Sequence, residues 1–278
     1  MVARLRTFTL ATLALVATSA AKAADYSPPM PPPVMVAQPA PQFASGWYLR
    51  GNVGAGINGN VQLDYLKNPA NPPNNFHFEH KSIADTFFIG GGAGYEFNNW
   101  LRFDGTLEYR AKSRVYAIGS YTSGGGTFLD TYEGNLSSWL LLANAYVDLG
   151  TWNCFTPFIG AGIGGAYNTL HDFSDVGIPT AGRGFGRNPS EWNLAWALYA
   201  GVAYEVTKNF KVEMTYRYLN YGSITDTVDC VGGCHPDSYK FGNLTSNDIM
   251  LGLRWTCCDV APPPPPVVYA PPPLRSRG

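Results

Sequence analysis

Residues 101–112, LRFDGTLEYRAK, separate into two chemistries when read at every second position. Leu101, Phe103, Gly105, Leu107 and Tyr109 make one series; Arg102, Asp104, Thr106, Glu108, Arg110 and Lys112 make the other. A strand points successive side chains to opposite faces, so one face here is apolar and the other is densely charged. Whatever fold contains this strand must give each face its own environment.

The same period runs through 46–56, 86–97, 100–112, 138–149, 154–167, 191–206, 210–221 and 247–255. These are eight candidate strands, long enough to cross a bilayer at a tilt, and no long segment carries an amphipathic helix period. Their connections alternate. Asn98–Asn99, 150–153 and 207–209 are short, whereas 57–85, 113–137, 168–190 and 222–246 are long. Short turns at one end and long loops at the other predict an all-β, eight-stranded antiparallel transmembrane barrel over 46–257, with its short turns in the periplasm. A soluble ligand-binding barrel would also alternate, but with its apolar face inward. Tryptophan separates the two. Trp47, Trp100, Trp152 and Trp255 fall at one set of strand ends; Trp139, Trp192 and, slightly deeper, Trp196 fall at the other. Two belts of indole match the two headgroup levels of a membrane.

Carried round the barrel, the alternation sends Arg50, Arg102, Arg110, Lys112, Lys211, Arg217 and Arg254 into the lumen. It sends Glu96, Asp104, Glu108, Asp148, Glu205, Glu213 and Asp248 there too, matching the cations one for one. Unpaired charges away from bulk water are costly, and a barrel of about eight strands is only wide enough to be filled by side chains. The balance predicts a paired, structural plug, with Gly90, Gly92, Gly94, Gly160, Gly162 and Gly164 leaving room for long Arg and Lys side chains. An ion path is the alternative, although a selective pore would concentrate one sign of charge.

The N-terminus reads as a secretory signal over 1–23: Arg4 and Arg6 precede an apolar run, and Ala21-Lys22-Ala23 supplies the cleavage site. Proline-rich segments follow at 24–45 and close the chain at 258–278. Extended at ~3.1 Å per residue, each reaches about 60 Å; disorder is the competing description. A formal net charge of −1 gives a nucleic-acid partner no electrostatic support. Five cysteines in an exported chain leave at least one unpaired. Cys230 and Cys234, in CVGGC, are placed to form a loop disulfide, while Cys154, Cys257 and Cys258 have no assignable pairing. His235 and Asp229 beside that pair do not complete a four-ligand metal set. Neither a metal nor a cofactor is expected.

GWYLRGNVGAG, DLGTW followed by TPFIGAGIGGAY, and GVAYEVTKNFKVEMTYRYLNYG resemble the small outer-membrane β-barrel proteins of alphaproteobacteria, the porin-family or surface-antigen group. The resemblance covers residues 46–255. It implies an eight-stranded barrel in a Gram-negative outer membrane, surrounded by its lipids and lipopolysaccharide, with roles in envelope integrity and surface contact. Such chains usually end on an aromatic residue, whereas Trp255 here is followed by a tail. Some relatives are joined to peptidoglycan through an Ala-Asp start, which makes Ala24 a candidate attachment point; an ordinary signal-peptidase remnant is the alternative.

An enzyme acting on outer-membrane lipid is the rival from another class. His77, His80, His171 and His235 all fall in the expected loops, and neither HFEH (77–80) nor HDFSD (171–175) carries a recognisable catalytic spacing. Tyr116, Tyr121, Phe128 and Tyr132, set among glycines, suit adhesive contact or mutual packing of the loops. No surface ligand can be named from them.

Overall fold

A computed structural model describes residues 46–59, 61–66, 74–178, 182–231 and 237–257. The signal segment, Ala24, both proline-rich segments, Cys234, His235 and Cys258 lie outside these. Thirteen strands form one sheet: β1 (Gly46–Asn58), β2 (Gln62–Leu66), β3 (Asn74–Ile83), β4 (Thr86–Glu96), β5 (Leu101–Ser123), β6 (Gly126–Asp148), β7 (Phe155–Ile178), β8 (Arg183–Gly186), β9 (Ser190–Thr207), β10 (Phe210–Asn220), β11 (Ile224–Val231), β12 (Asp237–Gly242) and β13 (Thr245–Thr256). All pairings are antiparallel. Eight strands pair in a closed circuit, β1-β4-β5-β6-β7-β9-β10-β13 and back to β1. A closed circuit has no edge, so every strand finds backbone partners on both sides.

Each of the eight expected strands lies, to within a residue, in one strand of the circuit. The count differs: thirteen strands stand where eight were expected, because the long connections are themselves β-structure. β5, β6 and β7 run far past their expected ends, and β2, β3, β8, β11 and β12 join them. The cap so formed has the strand order β2-β12-β11-β8-β7-β6-β5-β3. Gly124 and Gly125, with φ of 58° and 83°, reverse the chain between β5 and β6, a turn that side-chain-bearing residues rarely make. At the opposite end the connections are tight. Asn98 closes one by accepting from the backbone N–H groups of Trp100 (3.0 Å) and Leu101 (2.8 Å).

The cap has its own core, built on Leu63, Val115, Leu136, Leu170, Phe173, Tyr239 and Phe241, all buried. Tyr132 and Tyr239 pack with ring centroids 4.9 Å apart, and Phe173 meets Phe241 edge-on at 5.4 Å. Tyr132 thus belongs to the core. Tyr121 and Phe128 stack on each other at 5.6 Å, and both are half-buried.

The two faces of the circuit are unlike. Leu107, Leu141, Leu194, Leu251 and Leu253 point outward, each at least half exposed. Arg102, Glu213, Asp248 and Arg254 point inward, each at most 1% exposed. Lys112 is a correction: it is exposed, outside the interior. The β5–β6 register shifts between Arg110 and Ser113, which exchanges the faces, so Ser113 and Val115 turn inward beyond it. The glycines are a second correction. A Cβ at Gly94 would strike the Tyr48 ring, and one at Gly160 the Tyr146 ring. These two make room for tyrosines on neighbouring strands; Gly162 lies against Asn144, and Gly90, Gly92 and Gly164 against the next strand's backbone, none of the six against Arg or Lys.

Candidate functional site: a filled interior beneath a packed cap

The circuit's inward residues form two charged layers. Around Glu213 on β10, three guanidinium groups converge: Arg50 at 3.4 Å, Arg102 at 3.5 Å and Arg254 at 3.2 Å. Arg50 also reaches Asp104 at 2.8 Å, Arg102 reaches Asp148 at 3.1 Å, and Arg254 reaches Glu96 at 3.4 Å. The Arg102 guanidinium carbon lies 4.2 Å from the Tyr146 ring centre and 4.6 Å from that of Phe158, so aromatic faces complete its surroundings. Several N–H groups of Arg102 and Arg254 have ion-pair neighbours but no hydrogen-bond partner among the described residues.

Nearer the cap lies a tighter second layer. Asp248 faces Arg110 at 2.9 Å and Arg217 at 2.6 Å; Glu108 faces Arg217 at 2.7 Å and Arg110 at 3.6 Å. Ser246 donates to Asp248 at 2.6 Å, and both guanidinium groups lie about 5 Å from the Phe88 ring centre. A neutral layer links the two. Asn144 donates to Asp104 (2.8 Å) and accepts from the Tyr199 hydroxyl (2.9 Å). Lys211 and Glu205, 4.0 Å apart, sit half-exposed at the rim.

Tyr48, Asn144, Tyr146 and Tyr199 were absent from the expected set, although parity could have found them. Tyr48 shares a face with Arg50, and Tyr146 with Asp148. Counting Asp, Glu, Lys and Arg alone does not reach them.

The family model for the outer membrane protein beta-barrel domain matches residues 8–256. The chain belongs to this family. Relatives of this outer-membrane barrel include an uncharacterized protein of Brucella abortus, 34% identical over 223 residues, covering 74% of this chain and 77% of that one. A protein of Rickettsia conorii named as a candidate adhesin is 30% identical, covering 75% and 81%. Outer membrane protein PagN of Salmonella typhimurium is 29% identical, covering 80% and 95%. Among solved structures, OprG of Pseudomonas aeruginosa matches with a TM-score of 0.48 at 14% identity, covering 77% of this chain and 98% of that one.

The three described histidines occupy strands, not loops as expected: His77 and His80 lie on β3, and His171 on β7. Nδ1 of His77 meets the Asn75 carbonyl at 3.0 Å, and its Nε2 meets Glu79 at 2.7 Å. Acceptors at both nitrogens favour the protonated ring, and its pKa is raised first by the Asn75 carbonyl and then by Glu79. Ser120 donates to Glu79 at 2.9 Å. Ser120 Oγ also lies 3.1 Å from Nε2 of His77, but that nitrogen is engaged by Glu79 at 2.7 Å and the His77–Glu79 pair is open to solvent. His171 meets Ser137 at 3.0 Å, and the adjacent Asp172 acts on its ring through charge. Cys230 is disulfide-bonded, while Cys154 and Cys257 are free thiols.

Proposed function

We propose that the eight-strand circuit crosses the outer membrane as a sealed, non-enzymatic barrel, its short turns in the periplasm and its cap displayed outward for surface contact. The observation that carries this reading is the mutual neutralisation inside: each buried arginine of the circuit lies within 3.6 Å of at least one carboxylate. Pairing of both signs suits a plug, whereas a conducting path needs charges that passing ions can use. The apolar core of the cap is continuous with the buried apolar residues of the circuit. Purified protein in planar bilayers is expected to show no steady conductance; large, stable openings would favour the channel reading.

The cap is built of paired strands in place of the expected loops, an arrangement suited to presenting a contact surface. The name of the Rickettsia relative agrees with such a role. We further propose that Ala24 is joined to peptidoglycan and that residues 25–45 span part of the periplasm. Lysozyme digestion of sacculi should release a muropeptide carrying the peptide that begins at Ala24. Its absence from digests of cells rich in the protein would overturn the attachment.

A further inference from the structure

We infer that the cleft between β2 and β3 is a binding site for an uncharged saccharide, one or two sugar rings in size. The cap sheet begins at β2 and ends at β3, so these two strands form the sides of a seam in an otherwise continuous wall. A cavity of about 370 Å³ opens there, lined by Leu63, Asp64, Tyr65, Asn75, Phe76, His77 and Phe78. That volume falls within the range of small-molecule sites, and the mouth of a β-barrel is a common place for one.

Its chemistry is mixed in the way a sugar requires. Tyr65, Phe76 and Phe78 are half-buried, so each keeps part of a ring available to the apolar C–H face of a pyranose. Tyr65 and Phe76 pack at 4.9 Å, tying the two sides together, and Phe76 meets Phe78 edge-on at 4.9 Å. Asp64 offers acceptors, and Asn75 offers a donor and an acceptor. Asn75 holds a left-handed backbone with φ of 54° at the register shift between Asn74 and His77, which turns the strand beside the cleft. His77 is fixed between the Asn75 carbonyl and Glu79.

Charge narrows the class. Among the described lining residues there is no Lys or Arg, the one basic ring, His77, is already matched by Glu79, and Asp64 opposes a sulfate or carboxylate. A basic peptide is the rival occupant. It would need Asp64 as its charge partner, whereas sugar hydroxyl groups serve Asp64 and Asn75, whose amide also reaches Thr122 at 3.4 Å, without one. The inference deepens the surface-contact reading, but binding depends on the cleft alone and not on which way the cap faces.

The test uses the full chain in detergent micelles. It is titrated by calorimetry with neutral hexose and N-acetylhexosamine oligosaccharides, oligosaccharide released from the cell's own lipopolysaccharide, sucrose octasulfate and an oligolysine. Saturable binding of a neutral or self-derived sugar is expected, weakened about tenfold in Asn75→Ala and Asp64→Asn. Both substitutions lie on the cleft wall and spare the core. Phe185→Ala, an exposed aromatic on β8 away from the cleft, should leave the affinity unchanged. Binding of foreign sugar alone, or of the cell's own, identifies the source, and either supports the site. Three results would overturn it: no sugar bound at about 10 mM, preference for the sulfated sugar or oligolysine, or sugar binding indifferent to both cleft variants. Labelling of an Asp64→Cys variant by an impermeant reagent on intact cells tests the orientation separately.

Discussion

Glu213→Gln is expected to cost the barrel about 3–5 kcal/mol, the range found when one partner of a buried ion pair is removed. The substitution keeps the side chain's shape and deletes the charge that Arg50, Arg102 and Arg254 share at 3.2–3.5 Å. Asp104, Asp148 and Glu96 each remain beside one of the three arginines, but none takes the central place. Three guanidinium groups would then face one another in a site closed to water. Glu205→Gln is the control. Its contact with Lys211 is 4.0 Å long, and its carboxylate is 37% exposed, so its loss should stay below about 1 kcal/mol. Urea midpoints of the two variants in the same micelles, read by heat-modifiable gel mobility, measure the difference. Equal midpoints would show that the interior does not depend on this carboxylate.

The second large effect is expected in the cap, and it depends on pH. Asp175 accepts from the Tyr239 hydroxyl at 3.0 Å, and its other oxygen is buried without a hydrogen-bond partner among the described residues. Tyr239 lies 3.3 Å from the Tyr132 hydroxyl, Tyr132 reaches Asp130 at 3.5 Å, and Tyr65 donates to Asp237 at 2.7 Å. Tyr121 of β5 faces the same three carboxylates, and no basic side chain forms an ion pair with any of them among the described residues. Burial, aided by the neighbouring Asp130, pushes Asp175 up to about 7; burial pushes Asp130 up to about 6.

Both values lie above the unfolded carboxylate's ~3.9, so the folded cap holds protons that the unfolded chain has released. The resulting stabilisation is complete below about pH 4 and is lost as pH rises through 6 to 7. After correction for intrinsic rates, amides of β6, β7 and β12 within the cap should exchange more slowly at pH 5 than at pH 8. Asp175→Asn should flatten that dependence and protect the cap at pH 8. Equal protection of the wild type at both pH values would refute the carboxylate–tyrosine account.

The circuit was legible in the sequence because its strands obey a strict period of two between two solvents. Leu107 beside Glu108, and Leu253 beside Arg254, each state a face without ambiguity. The cap was not legible, for two physical reasons. Register shifts after Arg110 and near Gly134 reverse the faces midway, so a strand read straight through loses its period. Its segments are also rich in Gly, Ser, Thr and Asn, residues that mark turns when no neighbouring strand is known. Only pairing with β7, β11 and β12 shows that Tyr132, Phe173 and Tyr239 share one core. The charged interior was largely readable, Lys112 excepted, since parity depends on local geometry. Which carboxylate would collect three arginines was not readable, because that follows from the distances across the barrel.

Spin labels placed singly at positions 107, 251, 108 and 254, with the native free thiols replaced, address the geometry on which all of this rests. Labels at Leu107 and Leu251 in reconstituted bilayers should collide with dissolved oxygen and be shielded from a water-soluble nickel chelate. Labels at Glu108 and Arg254 should show neither the lipid signature nor strong oxygen contact. If the nickel chelate reached Leu107 and Leu251 while Glu108 and Arg254 reported hydrocarbon, the assignment of faces would be inverted and the account wrong.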